Sequence, residues 1–134
     1  MSDVAESCAE LTRVFESLAA QNMDLLPEIY ERFFQLCPQA ESLISHSDDP
    51  MRGRMLEQTF HLLMDPQLQG PDGYFRWEIA NHLSAYGVTL YMYTAYFQAI
   101  GEIMTDALDS EWTSAVDHAW QHRVEDLLGD VLAA

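Results

Sequence analysis

The chain has 134 residues, of which 49% are hydrophobic, and this is enough for one folded domain with a sizeable core. Its 22 acidic residues outweigh 6 basic residues and give a net charge of -16. A charge of this sign repels nucleic acid and anionic membrane surfaces, so we expect neither as a partner.

Apolar residues at helical spacing predict two long helices and one short helical turn in the first third of the chain. The first helix covers residues 4–20. The second covers residues 25–37, with Pro27 in its first turn, where the missing backbone N–H costs little. A short helical turn over residues 40–44 follows.

A third long helix is predicted over residues 50–64, with Asp48 or Asp49 as its N-cap. Residues 69–73 are rich in glycine and proline, which indicates a linker. A shorter helix is predicted over residues 74–84.

Two further helices are predicted over residues 90–108 and 111–132, with a break at Asp109 and Ser110. The sequence has no two segments of alternating apolar and polar residues joined by a turn, so no β-hairpin is predicted. The sequence therefore predicts an all-α fold of about six to seven helices, in one domain that spans residues 1–134.

The two cysteines, Cys8 and Cys37, stand in no metal-binding spacing, and we expect both to be small buried hydrophobes. The first residues lack a basic segment followed by an apolar run, so no signal peptide is expected. No apolar stretch is long enough to span a bilayer. These features favour a cytoplasmic protein with reduced cysteines.

Three local patterns stand out together. Residues 29–38 form an aromatic-rich helix with a proline stop, residues 86–88 (Tyr-Gly-Val) lie between His82 and Tyr93, and residues 108–120 contain two tryptophans. With the order of helices, they resemble the globin family, and in particular the single-domain bacterial globins and the haem domain of flavohaemoglobins. The resemblance covers nearly the whole chain and implies a globin-like fold.

The resemblance implies a b-type haem that binds oxygen, nitric oxide or carbon monoxide. Tyr30 precedes Pro38 at the spacing of the family's distal tyrosine, although a core tyrosine bonded to a backbone carbonyl explains it equally well. Met51 stands at the usual distal glutamine or histidine position, and Met55 lies one turn later against the haem face. Ile44 stands where the family has a phenylalanine that stacks on the porphyrin.

The proximal iron ligand has two candidate registers. Aligned without gaps on residues 86–88 and Tyr93, the chain places Leu83 at the proximal position, and no residue of this helix then binds iron. One deletion in the preceding linker and one insertion before residue 86 place His82 there instead. Neighbouring helix positions point about a hundred degrees apart, so only one register holds.

Two functions of different classes follow. The first is a haem-binding globin that acts as a carrier, scavenger or sensor of a diatomic gas, with His82 as the iron ligand. The second is a haem-free globin-fold sensor or interaction module. In that case apolar side chains, Leu83 among them, fill the pocket or line it for an apolar ligand.

Enzymatic activity is not expected, because the sequence shows no catalytic motif and no attached reductase of the kind that flavohaemoglobins carry. A separate reductase or a signalling partner is left open. So is a homodimer through residues 90–108 and 111–132, although core packing explains most of their aromatic residues. His118 and His122 have an i, i+4 spacing that suits a metal, but a pair without a third ligand is more often structural.

Overall fold

The computed structural model describes residues 3–44, 47–66 and 88–133. Within these ranges the chain forms six α-helices and no β-strand, which confirms the predicted all-α class. In chain order these are α1 (Asp3–Ala20), α2 (Leu26–Leu36), α3 (Pro38–Leu43), α4 (Asp49–Met64), α5 (Leu90–Leu108) and α6 (Ser114–Ala133), with a 3-10 turn at Asp109–Glu111. The helix predicted over residues 74–84 lies outside the described residues.

Side chains at the helix starts explain several boundaries. The Asp48 carboxylate accepts a hydrogen bond from the backbone N–H of Met51 at 2.9 Å, so Asp48 is the N-cap of α4 and Asp49 is its first helical residue. Thr89 caps α5 in the same way, accepting from the N–H of Met92 at 3.3 Å. Proline stands in the first turn of α2, α3 and α4, as its fixed backbone angle favours.

The last helix begins later than the sequence predicts. Residues 109–111 form a 3-10 turn, and α6 starts at Ser114 rather than at residue 111. The hydroxyl of Thr113 accepts a hydrogen bond from the N–H of Val116 at 3.2 Å, which makes Thr113 the effective cap. Asp109 takes a positive φ of 48° where the chain leaves α5.

The helices pack in a closed circuit around the core. α1 packs on α6, α6 on α5, α5 on α2, α2 on α4, and α4 returns to α1. The apolar faces predicted for α1 and α2 are the buried ones, with Leu11 and Ile29 fully inaccessible. The aromatic residues of α5 and α6 also point mainly inward, since Phe97 and Trp120 are buried.

A buried charge ties α6 to the end of α4. Arg123 has no solvent exposure, and its guanidinium donates to the backbone carbonyls of Leu63 at 3.0 Å and Leu62 at 2.6 Å. It also forms an ion pair with Asp126 at 2.8 Å. The last carbonyls of a helix lack partners within it, so Arg123 satisfies groups that would otherwise be buried without a hydrogen bond.

Both cysteines lie among the described residues. Cys8 and Cys37 are buried free thiols, as predicted. Burial raises the pKa of the Cys8 thiol, and the nearby charge of Arg123 opposes that rise.

None of the helices described here combines the length and apolar character that crossing a bilayer requires.

Candidate functional site

The tyrosine that the globin resemblance singles out lies in the interior, where α2, α4 and α5 meet. Tyr30 on α2 is only 2% exposed. Its hydroxyl lies 3.1 Å from the hydroxyl of Tyr96 on α5, and either oxygen can be the donor. It also reaches the backbone carbonyl of Arg52 on α4 at 3.5 Å, which is the outer limit of a hydrogen bond.

An arginine covers this tyrosine. The guanidinium carbon of Arg52 lies 5.4 Å from the ring centre of Tyr30 and 5.2 Å from that of Phe34, both within the range of a cation–π contact. Its Nε donates to the Ser47 hydroxyl at 2.9 Å, and Ser47 donates to the carbonyl of Ile44 at 2.6 Å. We call Tyr30, Phe34, Arg52 and Tyr96 the tyrosine–arginine cluster.

Both hydroxyls of the cluster stay protonated at neutral pH. Burial raises the pKa of Tyr30, opposed by the hydrogen bond from Tyr96 and by the positive charge of Arg52. Burial also holds the pKa of Tyr96 well above its usual range, and the neighbouring Tyr30 adds to that rise. The pair therefore offers neutral hydrogen-bond donors rather than a phenolate.

The two methionines of the predicted distal wall lie outside the cluster. Met51 is 38% exposed and Met55 is 37% exposed, both on α4. The face of α4 that packs inward is instead formed by Leu56 and Leu63, which are buried. Arg52, one position after Met51, is the α4 side chain that contacts the ring of Tyr30.

The remaining predicted site residues divide into two groups. Ile44 and Tyr93 are half-buried and pack against the core, with Ile44 joined to Arg52 through Ser47. His82 and Leu83 lie outside the described residues. Sequence reasoning missed Arg52 and Tyr96. The one sequence signal for Tyr96 is its place one helical turn after Tyr93.

Haem binding calls for an apolar wall, a cation near the haem carboxylates and an iron ligand. Exposed methionines offer an apolar wall, and Arg52 offers a cation for a carboxylate. An iron ligand is not supplied by this cluster, and the predicted one, His82, lies beyond the described ranges. Among residues 3–44, 47–66 and 88–133 no three histidine, cysteine, aspartate or glutamate side chains gather as a metal ion requires.

A concave feature, which we call the α1–α6 groove, lies between the first and last helices and has a volume of about 570 Å³. His118 and His122 line it, with ring centres 6.4 Å apart. Nδ1 of His122 shares a hydrogen bond of 2.8 Å with the hydroxyl of Ser7. Its acidic lining residues are Glu6, Glu10 and Glu125. The Ser7 bond gives His122 a structural role, since it joins α1 to α6.

Comparison with known proteins supplies no family and no curated relative, so the inference of function rests on the residues of this chain. No protein-family model matches the chain, and no curated protein is significantly similar to it. In the tyrosine–arginine cluster, Tyr30, which the sequence predicts as a site residue, contacts Tyr96 and Arg52, which the sequence does not predict.

Proposed function

We propose that this chain is a globin-fold domain that binds a b-type haem and, through it, oxygen, nitric oxide or carbon monoxide as a carrier, scavenger or sensor. The observation that carries the proposal is the position of Tyr30. The resemblance assigns it to the distal side of a haem pocket, and its hydroxyl lies where α4 and α5 meet α2. A hydroxyl at such a place is a hydrogen-bond donor for a ligand.

The helix arrangement supports the proposal. Globins pack their helices pairwise around one pocket, and the closed circuit of α1, α6, α5, α2 and α4 is compatible with that plan. The short α3 between α2 and α4 also matches the predicted order. In the order of the sequence, the helix predicted to carry His82 comes after α4 and before α5.

The hydrogen bonds of Tyr30 support a donor role. Its bond to the Arg52 carbonyl is long at 3.5 Å, whereas its bond to Tyr96 is 3.1 Å. When Tyr96 donates to Tyr30, the Tyr30 proton is left with the weaker partner. A ligand with an acceptor atom can compete for that proton at small cost. The bound haem would supply the iron that holds the gas, with a neutral imidazole, assigned by resemblance to His82, on the other side.

The haem-free module is the second candidate, and a specific observation favours it. In the described part of the chain, every buried side-chain nitrogen or oxygen has a hydrogen-bond partner. Tyr30 is thus satisfied by protein groups alone. Ile44 adds apolar volume where the globin family has a stacking ring, so apolar side chains of the protein itself can also fill the pocket.

An absorption spectrum of the purified chain, before and after addition of hemin, tests the proposal. We expect a sharp Soret band at one haem per chain that shifts on reduction with dithionite. A featureless spectrum, with hemin bound no better than by an unrelated acidic protein, would establish the haem-free module.

Two neighbouring variants then identify the iron ligand. His82→Ala should abolish the Soret band, whereas Leu83→Ala should only loosen packing and keep it. Equal haem retention by both variants would rule out His82 as the ligand.

A further inference from the structure

We propose that a pocket between α5 and α6 binds a small organic cation that carries an oxygen acceptor beside its charge. The pocket, which we call the indole pocket, has a volume of about 410 Å³ and shares no residue with the tyrosine–arginine cluster. Its size lies within the range of small-molecule sites, so the proposed occupant is a free small molecule whose binding does not require haem.

A buried indole N–H without a partner opens on this pocket. Trp120 lines the pocket and is only 7% exposed. Its Nε1 makes no hydrogen bond with any described residue. Because every fully buried side-chain nitrogen or oxygen of the described residues has a partner, Nε1 is not sealed inside the protein but is reached from the pocket. An indole N–H only donates, so an oxygen acceptor of a ligand would satisfy it.

A glycine on α5 leaves this N–H uncovered. Gly101 is itself a lining residue of the pocket, and a Cβ added there would lie 2.7 Å from Nε1 of Trp120. A side chain at this position would therefore occupy the space in front of the donor. Glycine lets α5 approach the edge of the indole and keeps the N–H accessible to a ligand.

The charged lining of the indole pocket is mainly negative. Its charged side chains are Arg32, Glu102, Asp106 and Asp117. Arg32 forms an ion pair with Glu102, so these two charges compensate each other. Asp106 makes no ion pair or hydrogen bond with any described residue. The carboxylates of Asp106 and Asp117 thus leave the pocket with a negative charge that a ligand cation would compensate.

A second indole stands beside the carboxylate of Asp117. Trp112 is half-buried, and its ring centre lies 6.1 Å from that of Trp120 at an interplanar angle of 64°. Its Nε1 donates to Asp117 at 3.0 Å, which holds the ring and the carboxylate together. Gln121 donates to the other oxygen of Asp117 at 2.9 Å, so both donors are neutral and the negative charge is not cancelled. Aromatic rings next to carboxylates favour an organic cation over a neutral molecule of the same shape.

The experiment titrates the full chain with three probes of similar shape. Choline has a quaternary ammonium and a hydroxyl, tetramethylammonium lacks the hydroxyl, and the carbon analogue of choline lacks the charge. Calorimetry gives the affinities, and NMR follows the indole N–H signal of Trp120. We expect choline to bind about threefold to tenfold tighter than tetramethylammonium, the worth of one hydrogen bond. It should bind about fivefold or more tighter than the neutral analogue, and it should shift the Trp120 signal.

Charge variants locate the site. Asp106→Asn should weaken choline binding by about threefold to fivefold, the worth of one partly exposed charge pair, and leave the neutral analogue unaffected. Glu125→Gln is the matched control, because it removes the same charge from an exposed residue of the α1–α6 groove. It should change choline binding by less than about twofold, since salt screens distant surface charges.

Trp120→Phe tests the donor. It keeps an aromatic ring but removes the N–H, so choline should lose its advantage over tetramethylammonium. If this variant does not fold, the shift of the Trp120 signal in the parent chain still decides the question.

Three results would overturn the inference. The first is equal affinity for choline and its neutral analogue. The second is choline binding that leaves the Trp120 N–H signal unmoved. The third is an equal loss in Asp106→Asn and Glu125→Gln, which would mean a general attraction of cations to an acidic protein.

Discussion

The hydroxyl oxygens of Tyr30 and Tyr96 lie 3.1 Å apart and join α2 to α5, although the two residues are 66 positions apart in the chain. Their rings also meet edge to face, with centres 5.7 Å apart. This pair is a polar contact placed inside an apolar region, where the two hydroxyls hydrogen-bond each other.

Removing both hydroxyls should therefore cost less than the sum of the two single removals. Tyr30→Phe and Tyr96→Phe should each lower the free energy of unfolding by about 1–2 kcal/mol, because the remaining hydroxyl loses the hydrogen bond that joins the pair. The double variant should be more stable than the sum of the single losses by about 1 kcal/mol. Urea unfolding of the four proteins measures this coupling, and strictly additive losses would show that the pair does not interact.

The same pair predicts a loss of stability at alkaline pH. Both tyrosines have a folded-state pKa raised above the ordinary value of 10.0. Below that pH both folded and unfolded states keep the protons, so the stabilisation is fully present. Above it the unfolded state releases protons first, and stability falls by about 1.4 kcal/mol per pH unit for each tyrosine. Urea unfolding between pH 8 and pH 11 should show a smaller fall for the Tyr30→Phe, Tyr96→Phe double variant, and parallel falls would contradict the prediction.

Much of the fold could be predicted because helical spacing and caps act locally. The apolar residues of α1 recur with the helical period, and Leu11, Val14 and Leu18 are buried accordingly. The start of α6 was misplaced because Asp109 and Glu111 form a 3-10 turn. Acidic residues before an apolar run are compatible with such a turn and with the first turn of an α-helix, so the sequence does not distinguish the two.

The site was predicted only in part because it depends on how helices cross. The apolar residues of α4 are compatible with two neighbouring faces, one with Met51 and Met55 and one with Leu56 and Leu63. Packing against α1 and α2 selects the second face, and this also directs Arg52 towards Tyr30. Periodicity in a single helix carries no information on that choice.

The crossing of α5 and α6 gives a prediction about two glycines. A Cβ at Gly101 would lie 2.7 Å from Nε1 of Trp120, so Gly101→Ala forces the buried indole to move and should cost about 1–3 kcal/mol. Gly129→Ala is the control, since a Cβ there meets nothing within 4 Å. It should raise stability by up to about 1 kcal/mol through helix propensity. Thermal unfolding measures both, and equal melting temperatures for the two variants would show that the close contact of Gly101 with Trp120 is unimportant.

The buried Arg123 gives the largest expected loss. Arg123→Met keeps apolar volume but removes the donors to the carbonyls of Leu62 and Leu63, which end α4. We expect a loss of about 3–5 kcal/mol, as found when one partner of a buried charged network is removed. Arg13→Met is the matched control, because it removes an arginine from an exposed ion pair with Glu10 and should change stability by less than about 1 kcal/mol. Urea unfolding compares the two, and similar small losses would mean that water replaces Arg123 at the end of α4.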